Sequence, residues 1–194
     1  MRLILASNSP RRRELLAMLG LEFTIAPGPD LDEAAVLAET EGALNERLMR
    51  LAFLKGEAAA RTEPEALVLS ADTAVVSDAR VLGKPKDSAE AREMLNHLSG
   101  RTHEVITAVA VRGMQLGVYM AECETTLVTF NGLGPMMIES YIERARPYDY
   151  AGAYAIQGLG ALLIQRIEGD YSNVVGLPLG LTARLLEGAG MRIL

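Results

Sequence analysis

The chain has 194 residues, 49% of them hydrophobic and 23% charged, with a net charge of −6. That length and balance describe an ordinary globular protein able to bury a core, and the acidity argues against broad nucleic-acid binding, which needs a basic face. A single cysteine, Cys123, excludes an internal disulfide and a cysteine-built zinc site, and two histidines make histidine-based metal ligation improbable.

In chain order, Leu3-Ile4-Leu5-Ala6 reads as a short buried strand that runs directly into Ser7-Asn8-Ser9-Pro10-Arg11-Arg12-Arg13. Ser9 before Pro10 is an N-cap followed by proline at the first helical position. The helix ends near Gly20 and carries Leu15, Leu16 and Leu19 on one face. Three arginines then occupy its first turn, where the macrodipole favours acids. An anion docked there would reverse that penalty, so the Ser7 and Ser9 hydroxyls, the backbone N–H groups and the guanidinium forks form a candidate phosphate site. The alternative is a solvated basic turn.

Phe23–Ala26 reads as a second strand, broken by Pro27-Gly28-Pro29-Asp30 and followed by a polar loop through Asp32 and Glu33. A long amphipathic helix is expected from near Glu41 to about Arg61, with Leu44, Leu48, Leu51 and Leu54 on its apolar face. Lys55 breaks that rhythm, and a snorkelling stem is its simplest role. Leu67–Leu69 and Ala74–Val76 read as one buried strand interrupted by Ser70-Ala71-Asp72-Thr73. Asp72 needs a partner there, because an unpaired buried carboxylate costs several kcal/mol, to order of magnitude. A strand-end Asp bonded to nearby N–H groups is the bland reading.

Gly83-Lys84-Pro85 is a turn, and Ser88 to about Leu98 a helix. Val105–Val111 and Val118–Phe130 flank Arg112–Gly117 as a long antiparallel hairpin. His103 is expected to be structural. Pro135 opens a helix reaching about Ala145, and Gln157 lies among glycines, where its amide could face a ligand or brace a loop. A strand follows over Ala161–Ile167, then a final helix after Pro178. The pattern predicts a mixed, twisted α/β sheet with flanking helices, not a purely parallel one.

These segments, taken together, resemble the Maf family of nucleoside triphosphate pyrophosphatases. The matching stretches are Ala6–Arg12, Asp32-Glu33, Lys55, Ser70–Thr73, Gly83–Pro85, Ser99–His103, Ala151–Gly158 and Asn173–Pro178, in order along nearly the whole chain. The resemblance implies a single domain over residues 1–194, similar to the inosine triphosphate pyrophosphatases, with two lobes around a central cleft. It implies a divalent-cation-dependent conversion of a nucleoside triphosphate to the monophosphate and pyrophosphate, with Asp72 in the place of the family's proton acceptor. Glu33 and Asp72 are then the candidate ligands for Mg²⁺ or Mn²⁺. Ser7, Ser9, Arg11, Arg12, Lys55 and Lys84 are the candidate phosphate-binding residues.

Arg12, Thr73 and Gln157 match the branch acting on dTTP and UTP, whereas Tyr150 stands where the family usually shows lysine. Family members are also linked to arrest of septum formation. The expected partner is the nucleotide, with no nucleic acid and no membrane, in a cytoplasmic protein for which a homodimer is compatible. Two alternatives stay open: a pyrophosphatase for modified nucleotides such as 7-methyl-GTP, and a nucleotide-sensing regulator of division without turnover.

Overall fold

The computed structural model describes residues 1–29 and 31–194; the expected break at Pro27–Asp30 therefore has its last residue, Asp30, outside the described residues. Among the described residues, seven strands form one sheet in the order β2-β1-β3-β5-β6-β7, with β4 paired to β3. They are β1 Leu3–Ala6, β2 Phe23–Ala26, β3 Leu67–Ser77, β4 Arg80–Leu82, β5 Thr102–Gly113, β6 Val118–Phe130 and β7 Ile164–Glu168. Strand β1 is parallel to β2 and β3, whereas β4 is antiparallel to β3 and β7 to β6. The sheet is thus mixed, as the hydrophobic patterning predicts.

The helices are α1 Pro10–Ala17, α2 Glu33–Glu39, α3 Leu44–Thr62, α4 Ser88–Leu98, α5 Pro135–Ala145, α6 Tyr171–Val175 and α7 Leu179–Gly188. None among the described residues is long and apolar enough to cross a membrane.

Four elements differ from the sequence reading. The stretch after Asp32 is helix α2 and not a loop, because the Asp32 carboxylate accepts from Ala35 N at 3.0 Å and caps it. Helix α3 begins at Leu44 and not near Glu41, where Glu46 turns back to accept from Ala43 N at 3.0 Å. Strand β3 runs unbroken from Leu67 to Ser77. Its polar residues do not interrupt it, because they find partners: the Ser70 hydroxyl donates to Ala52 O at 2.7 Å, and Asp72 pairs with Lys55. The late strand is also shorter than expected. A 3₁₀ segment, Gly158–Leu163, takes its first half, and β7 begins at Ile164.

The chain divides into two compact units. One comprises Met1–Asp72, Thr107–Glu124 and Gly176–Leu194, the other Thr73–Ile106 and Thr125–Val175. In the first, Ile4, Ala6, Val68, Ala59, Ala60 and Ala66 pack as small and β-branched residues that let α3 lie close on the sheet. Gly56 lies at a close approach, since a Cβ there would stand 2.8 Å from Ser70 Oγ. Phe53 and Tyr119 stack with ring centroids 3.9 Å apart. In the second unit Leu95, Leu98, Val128, Phe130, Ile138 and Tyr154 belong to a larger buried cluster. Each such large apolar side chain contributes ~1.5–3 kcal/mol on burial.

Candidate functional site

The start of α1 is built as its sequence suggests. Ser9 is the N-cap, and its hydroxyl accepts from Arg12 N at 3.5 Å. Ser9 N in turn donates to the Ser7 hydroxyl at 3.2 Å, and Ser7 N to Ala26 O at 3.1 Å. The β1-to-α1 turn is therefore held against the end of β2. Ser7 is buried, while Ser9, Arg11 and Arg12 are half-buried. The Arg12 guanidinium turns inward, and its Nε–H donates to the Gly176 carbonyl at 2.8 Å. Burial lowers the Arg12 pKa from its ordinary value; the negative charges of Asp72 and Glu33 oppose that, and Arg11 reinforces it. A cation accepted into such a place needs anions around it, and Asp72 and Glu33 are those anions.

They meet at Lys55. Its ammonium lies 2.6 Å from Glu33 Oε1 and forms a second ion pair with Asp72 Oδ1. The Lys55 and Asp72 side chains are only 14% and 7% exposed, whereas Glu33 is 42% exposed. Lys55 comes from the middle of α3, Asp72 from the centre of β3 and Glu33 from the first turn of α2. Lys55 is therefore not the snorkelling surface stem that its helical position suggests: its head is turned onto two acids. Among the described residues no group of three His, Cys, Asp or Glu side chains forms a metal cage. The two carboxylates are instead an oxygen-only, hard donor pair, whose chemistry fits Mg²⁺ or Mn²⁺ better than zinc.

The remaining candidates lie in the second unit. Thr73 follows Asp72 on β3 and is half-buried. Lys84 is exposed on the turn after β4, whose Gly83 carbonyl accepts from Gly152 N at 3.0 Å. Gln157 is exposed at the start of the 3₁₀ segment. It lines an open cavity of about 480 Å³ with Ile156, Ile164, Arg166, Ile167 and Tyr171. Tyr150 precedes the short 3₁₀ turn Ala151–Ala153, and its carbonyl accepts from Ala153 N at 3.1 Å.

His103 is buried, with Nε2 2.7 Å from the Tyr154 hydroxyl and edge-on ring contacts to Phe130 and Tyr154. Two residues of the Asn173–Pro178 stretch have bracing roles that the sequence does not assign. Gly176 supplies the carbonyl that fixes Arg12, signalled only by glycine in a turn, where its φ is +125°. Asn173 is buried, and its amide donates to Val105 O and Thr126 Oγ1, both at 2.9 Å.

A mixed α/β sheet with an anion-ready helix start and a lysine-bridged carboxylate pair defines a protein equipped for phosphate chemistry. The chain belongs to the Maf family: the model described as Maf-like protein matches residues 2–189. It is 50% identical over 192 residues to a dTTP/UTP pyrophosphatase of Symbiobacterium thermophilum, covering 98% of this chain and 95% of that protein. It is likewise 50% identical to a dTTP/UTP pyrophosphatase of Moorella thermoacetica, covering 99% and 97%. A third dTTP/UTP pyrophosphatase, from Bacillus cytotoxicus, is 46% identical over 95% of this chain and 93% of its own length. Among solved structures, the Staphylococcus aureus Ham1 protein aligns over 67% of this chain and 72% of its own, with a TM-score of 0.44 and 17% identity.

Proposed function

We propose that this protein hydrolyses dTTP and UTP to the monophosphate and pyrophosphate. The observation that carries the reading is the cluster in the first unit, where Lys55 joins Asp72 and Glu33, whose charges act on the half-buried Arg12. The dTTP/UTP pyrophosphatases of similar length and half-identical sequence support it. In the reaction a water oxygen bonds to the α-phosphorus, the bond from that phosphorus to the bridging oxygen breaks, and pyrophosphate leaves. Asp72, held by Lys55, accepts the water's proton. Arg11, Arg12, Lys55 and Lys84 offset the charge that moves onto the leaving group, and the Ser7 and Ser9 hydroxyls contribute to phosphate binding.

Glu33 and Asp72 would hold a divalent cation, which when bound neutralises phosphate oxygens and acidifies water. Gln157 offers both a donor and an acceptor to the N3–H and O4 edge of uracil or thymine, with Arg12 and Thr73 completing the selection. The setting in this reading is the cytoplasm.

The test is pyrophosphate release measured with Mg²⁺ across dTTP, UTP, CTP, ATP, GTP and 7-methyl-GTP. Higher kcat/KM for dTTP and UTP is expected. Faster turnover of 7-methyl-GTP would move the protein to a modified-nucleotide specificity, and binding without release would make it a sensor. Removal of divalent cations with EDTA is expected to abolish turnover and Mg²⁺ or Mn²⁺ to restore it; activity surviving exhaustive chelation contradicts the cation assignment.

A further inference from the structure

Asp72 is buried and Glu33 only partly so; two carboxylates drawn to one place repel each other, and Asp72 also loses hydration, so a cation between them stabilises the pair. Here that cation is the Lys55 ammonium, 2.6 Å from Glu33 Oε1 and ion-paired with Asp72 Oδ1. These are the carboxylates that the proposed function assigns to the divalent cation, and the inference rests on that assignment.

Arg12 is less suited to this role. It sits in the first turn of a capped helix, and its Nε–H is committed to the Gly176 carbonyl. Lys55 has a flexible four-carbon stem, a point charge and donors only. An arginine in its place would grip a carboxylate through two parallel bonds and release it less readily. Lone pairs engaged by the ammonium are not free for a metal, and two positive charges so close together repel in a place that water screens poorly.

We propose that Lys55 is the built-in counter-cation of this carboxylate pair: it keeps Glu33 and Asp72 together and competes with the divalent cation for them. The protein without nucleotide therefore takes up Mg²⁺ or Mn²⁺ weakly. An ammonium displaced from the acids is then available to a triphosphate, which joins its counter-ion role to its phosphate-binding one. By linkage, whatever draws Lys55 away from the acids raises metal affinity, and metal binding in turn frees Lys55.

The test is Mn²⁺ binding to the full chain without nucleotide, followed by electron paramagnetic resonance of the unbound ion. The variants are Lys55→Met, Lys55→Gln, Lys55→Arg, Asp72→Asn and the double variant Lys55→Met/Asp72→Asn. Circular dichroism selects the folded proteins, and Lys55→Gln serves if the methionine variant does not fold. Removing the ammonium is expected to tighten Mn²⁺ binding at least tenfold, Lys55→Arg is expected not to tighten it, and the double variant to lose the gain. Unchanged or weaker Mn²⁺ binding in the neutral variants, with Asp72→Asn still weakening it, overturns the competition while leaving the metal assignment standing. Binding indifferent to Asp72→Asn in every background overturns the metal assignment itself.

Discussion

At the scale of single residues, the chemistry depends on how each charge is compensated. Asp72 is 5% exposed in the centre of a strand, yet it is not an isolated charge, because Lys55 reaches it. Asp72→Asn keeps the shape but removes the proton acceptor. It is expected to lower kcat at least ~10²-fold, the scale of a lost general base. Steady-state hydrolysis with circular dichroism as the folding control checks this, and near-normal turnover in a folded variant would remove Asp72 from the role. Gln157→Glu replaces an amide donor with a carboxylate that cannot donate, so kcat/KM for dTTP and UTP should fall more than that for CTP. An equal fall for all three would show that Gln157 does not read the base.

That Asp72 needs a partner was legible in the sequence, because a lone acid in an apolar strand has few alternatives. Which partner it finds was not. Lys55 lies 17 positions earlier, on a helix whose own pattern offers an ordinary surface role. Only the close packing of α3 on the sheet turns its head inward. Gly176 was illegible for a different reason: its contribution is a backbone carbonyl, and sequence carries no side-chain signal for that.

At the scale of elements, hydrophobic period and turn residues located β1, α1, β2, α4, α5 and the strands β5 and β6 with little error. The failures share a cause. Polar residues read as a break in β3 and as a loop where α2 begins, yet Asp32, Ser70 and Asp72 each had a specific acceptor or donor waiting in the fold. Local polarity cannot distinguish a satisfied buried group from an exposed one.

The α3–β3 contact makes the cost of such packing measurable. Alanine normally favours a helix over glycine by ~1 kcal/mol. At Gly56 the added Cβ would lie 2.8 Å from Ser70 Oγ and 3.3 Å from Val68 Cγ1. That hydroxyl is short and already bonded to Ala52 O, so it cannot yield without losing its partner. Gly56→Ala is therefore expected to destabilise the protein by about 1–2 kcal/mol despite the helix propensity, the range for an overpacked site. Adding Ser70→Ala should recover part of that loss, a positive coupling read in a double-mutant cycle by urea unfolding. A Gly56→Ala protein more stable than the wild type would show that the two elements separate freely.

At the scale of the whole molecule, stability should carry a pH dependence set by one buried side chain of the second unit. His103 is buried beside Phe130 and Tyr154, and burial, with a smaller contribution from the positive charge of His97, lowers its pKa from 6.5 to about 4. The imidazole is thus neutral in the folded protein across the ordinary range, whereas the unfolded chain takes up a proton below pH 6.5. The unfolded state binds more protons between the two values, so the stability this group contributes is complete above pH 6.5 and declines as pH falls towards 4. By pH 5 the loss amounts to about 2 kcal/mol, a large share of a typical domain's margin. His103→Gln removes the titration while leaving an amide able to reach the Tyr154 hydroxyl. The variant starts less stable at pH 7.5, because it forgoes the ring contacts, but its urea midpoint should fall less steeply between pH 7.5 and pH 5. The wild type should lose about 2 kcal/mol more over that interval. Parallel pH profiles for the two proteins would show that His103 takes up its proton as readily in the core as in the unfolded chain.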